Sequence, residues 1–244
     1  IAMGGGLLPV VNMGKVDNKG YEVDLKWSDK VNDFSYYINA NVSYSKNKIV
    51  YQDEVEPNEP YQWRTGNEVG ARYGYVALGF YNKDDFNEDG TDLPQPALKV
   101  KPGDVKYADL NDDGIIDNDD QKKIGNPKRP AYTFGLNYGV EYKGFFASMN
   151  WTGVAKCDIM MSNTYRDPFY NKQLGGTFYQ YLVDGRWTEE TAATAEYPRF
   201  TYNSNNNNMA TSRVWLKDAS YLKLKNLTVG YNVTSPKVLK AIGA

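Results

Sequence analysis

From Tyr132 to Lys143 every second residue is apolar. Tyr132, Phe134, Leu136, Tyr138, Val140 and Tyr142 alternate with Thr133, Gly135, Asn137, Gly139, Glu141 and Lys143. Successive side chains of an extended backbone point to opposite sides, so a period of two predicts a β-strand with one apolar and one polar face. Aromatic residues bracket an aliphatic centre. The same period runs from Tyr36 to Asn47, where Tyr36, Ile38, Ala40, Val42 and Tyr44 oppose Tyr37, Asn39, Asn41, Ser43, Ser45 and Asn47. It recurs in Phe145–Thr152, in Tyr21–Trp27 and in Leu227–Val233. Leu222 and Leu224 lie in the opposite phase to Leu227 and Val229, which predicts a β-bulge near Lys225 and Asn226.

The connections between these five strands sort by length. Ser28–Asp33 and the Lys143-Gly144 corner are short turns, whereas residues 48–130 and 156–212 are long and polar. In an antiparallel meander that alternation gathers the short turns at one end and the long loops at the other. Bacterial outer-membrane barrels have this asymmetry, with short periplasmic turns and long extracellular loops. A soluble β-sandwich alternates along its strands too, but it has no reason to sort its loops by length. The chain has 21 tyrosines and nine phenylalanines, so most of its rings have a polar tip suited to a boundary between apolar and wet surroundings. No run approaches the ~20 apolar residues of a spanning helix. The start, IAMGGGLLP, has neither the basic region nor the apolar run of a signal peptide.

Composition excludes much chemistry. The absence of histidine removes Ser-His-Asp and Cys-His triads and histidine zinc sites, leaving carboxylates or lysine for any catalysis. No carboxylate pair is marked by the sequence, and the chain is read as no enzyme. Cys157 is the only cysteine, so there is no internal disulfide, and it reads as structural. A net charge of −2 gives no electrostatic case for nucleic acid.

One loop has calcium-ligand spacing. Counting from Asp109, oxygen-bearing side chains fall at positions 1, 3 and 5 (Asp109, Asn111, Asp113), Gly114 is at 6, the Ile115 carbonyl at 7 and Asp120 at 12. Asp120 stands where an EF-hand has a longer glutamate, and Val105–Tyr107 before the loop reads as strand where a helix would be expected. The same residues also read as an Asp/Asn/Gly-rich turn that satisfies its own backbone. Asp85, Asn87, Asp89 and Gly90 form a poorer second run, lacking a closing carboxylate because Pro96 is at position 12. Residues 156–212 bring Tyr165, Arg166, Tyr170, Tyr179, Tyr181, Trp187 and the run Asn203–Asn208, rings beside amides that suit sugar contact or plain loop packing.

Six stretches together are similar to one family. NMGKVDNKGYEVDL (12–25), YYINANVSYSKNKI (36–49), GDVKYADLNDDGIIDNDDQKKIGNP (103–127), YTFGLNYGVEYKGFFASMNWTG (132–153), YPRF (197–200) and RVWLKDASYLKLKNLTVGYNV (213–233) resemble, in this order, the SusC/RagA-like TonB-dependent outer-membrane transporters. The match is to the C-terminal half of their barrel. The resemblance implies an all-β, antiparallel transmembrane barrel of 22 strands, of which this chain supplies about five. It further implies that residues 1–244 are an internal fragment of one barrel domain without the plug, and that the two long segments are extracellular. A SusD-like surface lipoprotein, TonB acting through the N-terminal part, outer-membrane lipid and an oligosaccharide or peptide substrate are the implied partners. On this reading the Tyr36–Tyr44 and Tyr132–Tyr142 faces meet lipid, while Asn39, Asn41, Asn137 and Glu141 face the lumen. The Asp109 loop, with calcium or without it, braces an extracellular loop. Two alternatives stay open, a secreted calcium-stabilised carbohydrate-binding β module and a glycoside hydrolase working with two carboxylates.

Overall fold

The computed structural model describes residues 13–86, 95–96, 99–169, 178–202 and 205–233. The second calcium-like run, Tyr170, and Asn203 with Ser204 lie wholly or partly outside them. Five long strands, β1 (Gly14–Val31), β2 (Phe34–Gln52), β9 (Tyr132–Tyr142), β10 (Phe145–Ala155) and β13 (Tyr221–Tyr231), form one antiparallel sheet in chain order. Eight short strands lie between them: β3 (Arg72–Tyr75) pairs with β8 (Gln121–Gly125), β4 (Ala77–Phe80) with β6 (Val105–Tyr107), β5 (Gln95–Pro96) with β7 (Ile115–Ile116), and β11 (Asp158–Met160) with β12 (Leu216–Asp218).

The expected meander is present, with corrected boundaries. β1 and β2 reach further at both ends than the apolar alternation indicates, so the Ser28–Asp33 turn shrinks to Asn32-Asp33, with Asn32 at φ 56°. Lys143 and Gly144, at φ 47° and 88°, make the left-handed pair that a type I′ hairpin turn requires. Asn232 N donates to Gly144 O at 2.7 Å, which puts the end of β13 beside that turn and both short turns at one end of the sheet. The long connections are 53–131 and 156–220 rather than 48–130 and 156–212. Hydrophobic alternation misses the extra strand because Lys46–Gln52 and Gly14–Lys19 pair by backbone with no apolar band to cover.

Register turns the alternation into rows. Leu25, Ala40, Leu136, Trp151 and Leu224 stand side by side across all five strands, and Trp27, Ile38, Tyr138, Met149 and Leu227 form the next row. Leu224 in the first row and Leu227 in the second lie on either side of the expected bulge. The β10–β13 register shifts between Asn150 and Trp151, leaving Lys225 as the extra residue, and that one insertion restores Leu222 and Leu224 to the face of Leu227 and Val229.

Rings close this face at both ends. Tyr21, Tyr44 and Tyr132 align at the long-loop end with centroids 5.3 and 4.6 Å apart, and Phe34, Tyr142, Phe145 and Tyr231 align at the turn end, with Phe145 4.5 Å from Tyr231. The eleven residues from Tyr132 to Tyr142 span about 33 Å of strand, or roughly 25 Å along the normal at a tilt of about 40°, which is the height of the apolar band of an outer-membrane barrel. Leu25, Trp27, Leu222 and Val229 on this face are 62–71% exposed.

The buried core lies away from the sheet, in the long loops. Val105, Tyr107 and Ile116 from the first connection pack with Ala210 and Val214 from the second. Leu182, Tyr197 and Trp215 form a neighbouring cluster that also takes in Val214. Trp215 and Leu182 are 1% exposed. Loops that look irregular in sequence therefore fold into one cap with its own interior.

Candidate functional site

The Asp109 loop folds on itself. Asp109 Oδ2 accepts from Gly114 N (2.8 Å), Asn111 Oδ1 from Asp113 N (3.3 Å) and Asp113 Oδ1 from Ile115 N (2.8 Å). Asp120 is fully buried, its two oxygens accepting from Leu110 N (2.6 Å) and Asp117 N (2.9 Å). Position 12 thus closes the loop by capping two backbone amides. Among the described residues no three acidic or sulfur side chains converge as a metal-holding group in this arrangement. One oxygen, Asp109 Oδ1, is buried without a hydrogen-bond donor. The side chain of Ile115 is 51% exposed, while Ile116 enters the core. Residues 58–62 hold the loop from outside, with Tyr61 Oη donating to Asp119 O (2.7 Å) and Gln62 Nε2 to Asn118 O (2.8 Å). Burial, and after it the charges of Glu59, Asp120, Asp119 and Asp109, push the Tyr61 phenol up to about 12, so it remains a donor at every ordinary pH.

The two long loops meet at Asp104. This carboxylate is completely buried. It accepts from Lys101 N (2.8 Å), Asn205 Nδ2 (3.0 Å), Asn208 Nδ2 (2.9 Å) and Arg199 Nη2 (3.2 Å). Arg199 Nε stands 2.8 Å from Oδ1, close enough for an ion pair though not aligned as a hydrogen bond. Asn207 and Asn208 act as a side-chain strand along Val105: Asn207 Nδ2 donates to Val105 O and Asn208 Oδ1 accepts from Val105 N, each at 2.9 Å. Tyr107 Oη reaches Asn207 O, and Trp215 Nε1 reaches Asn208 O, both at 2.7 Å. Gly103, at φ 87°, makes the join possible, since a Cβ there would stand 2.4 Å from the Trp187 ring.

Of the two readings of the ring-and-amide run, sugar contact and loop packing, this geometry gives loop packing to part of it. Trp187, Tyr197, Asn207 and Asn208 are buried and bind the loops to each other. Tyr165 and Tyr179 do reach the surface, stacked 5.0 Å apart at 9°, with Tyr181 stacked beside Tyr179. Sequence reasoning passed over Asp104 altogether, although its place directly after Gly103 and before an alternating Val-Lys-Tyr was a usable signal.

On the polar face of the sheet, register assembles a row that strand-by-strand reading leaves invisible. Lys26, Asn39, Asn137, Asn150 and Asn226 face one another across five strands. Next to it run Asp24, Asn41, Gly135, Thr152 and Lys223. Tyr37 Oη donates to Asn137 Oδ1 at 3.4 Å.

No protein-family model matches the chain. It is 28% identical over 92% of its length to TonB-dependent receptor P3 of Formosa agariphila, and 27% identical over 93% to TonB-dependent receptor P26 of the same organism. It spans 22% and 23% of those two proteins. In fold it is similar to the RagAB peptide transporter (TM-score 0.62, 18% identity, 90% of this chain and 23% of that one). It is also similar to the RagAB peptide importer in its open-open state (TM-score 0.63, 18% identity, 93% and 23%). Sequence likeness, a sheet in meander order and an exposed apolar band between two aromatic rows converge on one assignment: the chain has the fold of part of an antiparallel transmembrane β-barrel of the outer membrane, and in sequence it is similar to TonB-dependent receptors.

Proposed function

We propose that the chain serves, within its whole receptor, in active import of oligosaccharides or peptides across the outer membrane, energised through TonB and assisted by a SusD-like surface lipoprotein. It has no catalytic role of its own. The observation carrying this reading is the likeness, over more than nine-tenths of the chain, to TonB-dependent receptors in sequence and to a peptide transporter in fold. On this reading the capped loops are extracellular, the turns at Asn32-Asp33 and Lys143-Gly144 are periplasmic, and the asparagine row faces the lumen. Removing the gene for the whole receptor is expected to abolish uptake of a labelled peptide or oligosaccharide, and an uncoupler is expected to do the same in the parent strain. Uptake that survives both treatments would overturn the proposal. The secreted carbohydrate-binding module is the weaker alternative, because it would leave the Leu25, Trp27, Leu222 and Val229 face standing in water.

The Asp109 loop has a part in the same reading. Its donor set, the side chains of Asp109, Asn111, Asp113 and Asp120 with the Ile115 carbonyl, suits a hard cation, and the unpartnered Asp109 Oδ1 is the oxygen that gains most from one. We propose that calcium, where it binds, braces this loop in place of the internal hydrogen bonds. Millimolar calcium is expected to slow proteolysis of the intact receptor between Asp109 and Gln121, and Asp109→Ala is expected to remove that protection. Equal cleavage with calcium and with chelator would leave the loop a self-capped turn.

A further inference from the structure

A lysine cluster stands on the apolar side of the sheet, just above its upper aromatic row. Lys19 on β1 lies directly opposite Lys46 on β2, two residues beyond the Tyr21 and Tyr44 pair and on the same face. Lys48 is the next residue on that face of β2, and Lys156 places its Nζ 5.9 Å over the Tyr132 ring. Like charges directly opposite one another destabilise a strand pair, so this arrangement calls for an anion. Glu68 supplies part of it. Burial raises its pKa, but hydrogen bonds from Lys123 and Lys46 outweigh that and hold it down to about 2, so it is charged at every ordinary pH. Lys19 and Lys48 have no carboxylate within 4 Å among the described residues. Asp17 stands opposite Lys48 in the register without closing to an ion pair, and with Glu68 it leaves the four lysines Lys19, Lys46, Lys48 and Lys123 in excess around a cavity of about 980 Å³ that Tyr21 and Tyr44 also line.

The level of this cavity fixes what can reach it. Interfacial tyrosines sit at the headgroup layer, and two residues further along a strand is about 7 Å, which is still within that layer. A basic pocket facing lipid at this height meets headgroup phosphates and little else. We infer that the cavity between Lys19, Lys46 and Lys48 binds the phosphate of a phosphorylated glycolipid headgroup in the outer leaflet. The ammonium groups supply the charge, and the two tyrosines pack on the carbohydrate or acyl base. The choice of leaflet rests on the proposal that the long-loop end is extracellular. That proposal has its own check: Val55→Cys, at a position 93% exposed in the first loop, should be labelled on whole cells by an impermeant thiol reagent.

The test uses the intact receptor in detergent micelles, titrated with lipid A, dephosphorylated lipid A, or inorganic phosphate. Lipid A is expected to raise the unfolding temperature, and the other two are expected to have little effect. At about 1 kcal/mol for each lysine near an anionic surface, the Lys19→Gln/Lys48→Gln double variant is expected to bind lipid A about 30-fold more weakly, with Lys30→Gln at the opposite end unchanged. An equal response to phosphorylated and dephosphorylated lipid overturns the inference without recourse to any variant. So does a correctly folded double variant that binds lipid A as tightly as the parent. Stabilisation by inorganic phosphate equal to that by lipid A also overturns it, by making the site one for free anions.

Discussion

Asp104→Ala is expected to separate the two long loops at a cost on the order of 3–5 kcal/mol, the range for breaking a buried ion pair by removing one partner. The size follows from what stays behind. Arg199 keeps its charge, and Asn205, Asn208 and the Lys101 amide all lose their acceptor at once at a position that is 0% exposed. Asp104→Asn keeps the shape but replaces an acceptor by a donor that faces Arg199 and asparagine donors, so it is expected to cost nearly as much. Hydrogen exchange of the intact receptor would report the loss at the amide of Val105, which now donates to Asn208. The five-stranded sheet, held by its own strand pairing, should keep its protection. Unchanged exchange at Val105 in the alanine variant would show that apolar packing around Val214 joins the loops without the carboxylate.

Arginine at two adjacent positions of β9 is expected to have opposite consequences. Leu136 lies near the middle of the apolar band, between Ala40 and Trp151, and Leu136→Arg should destabilise the barrel by about 2–4 kcal/mol, the cost of a cation at the bilayer midplane. Asn137 points to the other side, in the asparagine row, and Asn137→Arg should change stability by less than about 1 kcal/mol. Urea titration of the intact receptor folded into vesicles measures both. A smaller penalty at Leu136 than at Asn137 would mean that the lipid and lumen faces have been exchanged.

The sheet was legible because its constraint is local. Each residue in a strand that separates lipid from a polar interior must take a side, and Tyr132–Tyr142 records those choices one residue at a time. Even the bulge at Lys225 was readable, since a single inserted residue inverts the phase of Leu222 and Leu224 relative to Leu227. The ends of β1 and β2 were not. Beyond the membrane band their side chains meet water on both sides, and backbone pairing leaves no mark in hydropathy. The Asp109 loop was legible as a tight acidic turn, but the spacing alone could not tell whether its carboxylates would serve a cation or their own amides.

What the sequence alone determined is the period, the order of long and short connections and hence the barrel segment with its two faces, because each depends on residues near one another in the chain. What only the tertiary structure decided is which distant residues meet. Asp104 accepts from an asparagine about a hundred positions away, four asparagines from four strands stand in one row, and Lys19 and Lys46 share a face above the tyrosines. Those meetings are set by strand register and by how two loops fill a shared core. Neither has a local signature, since register is fixed by pairing between strands and a loop core by volumes that fit only after the chain has folded.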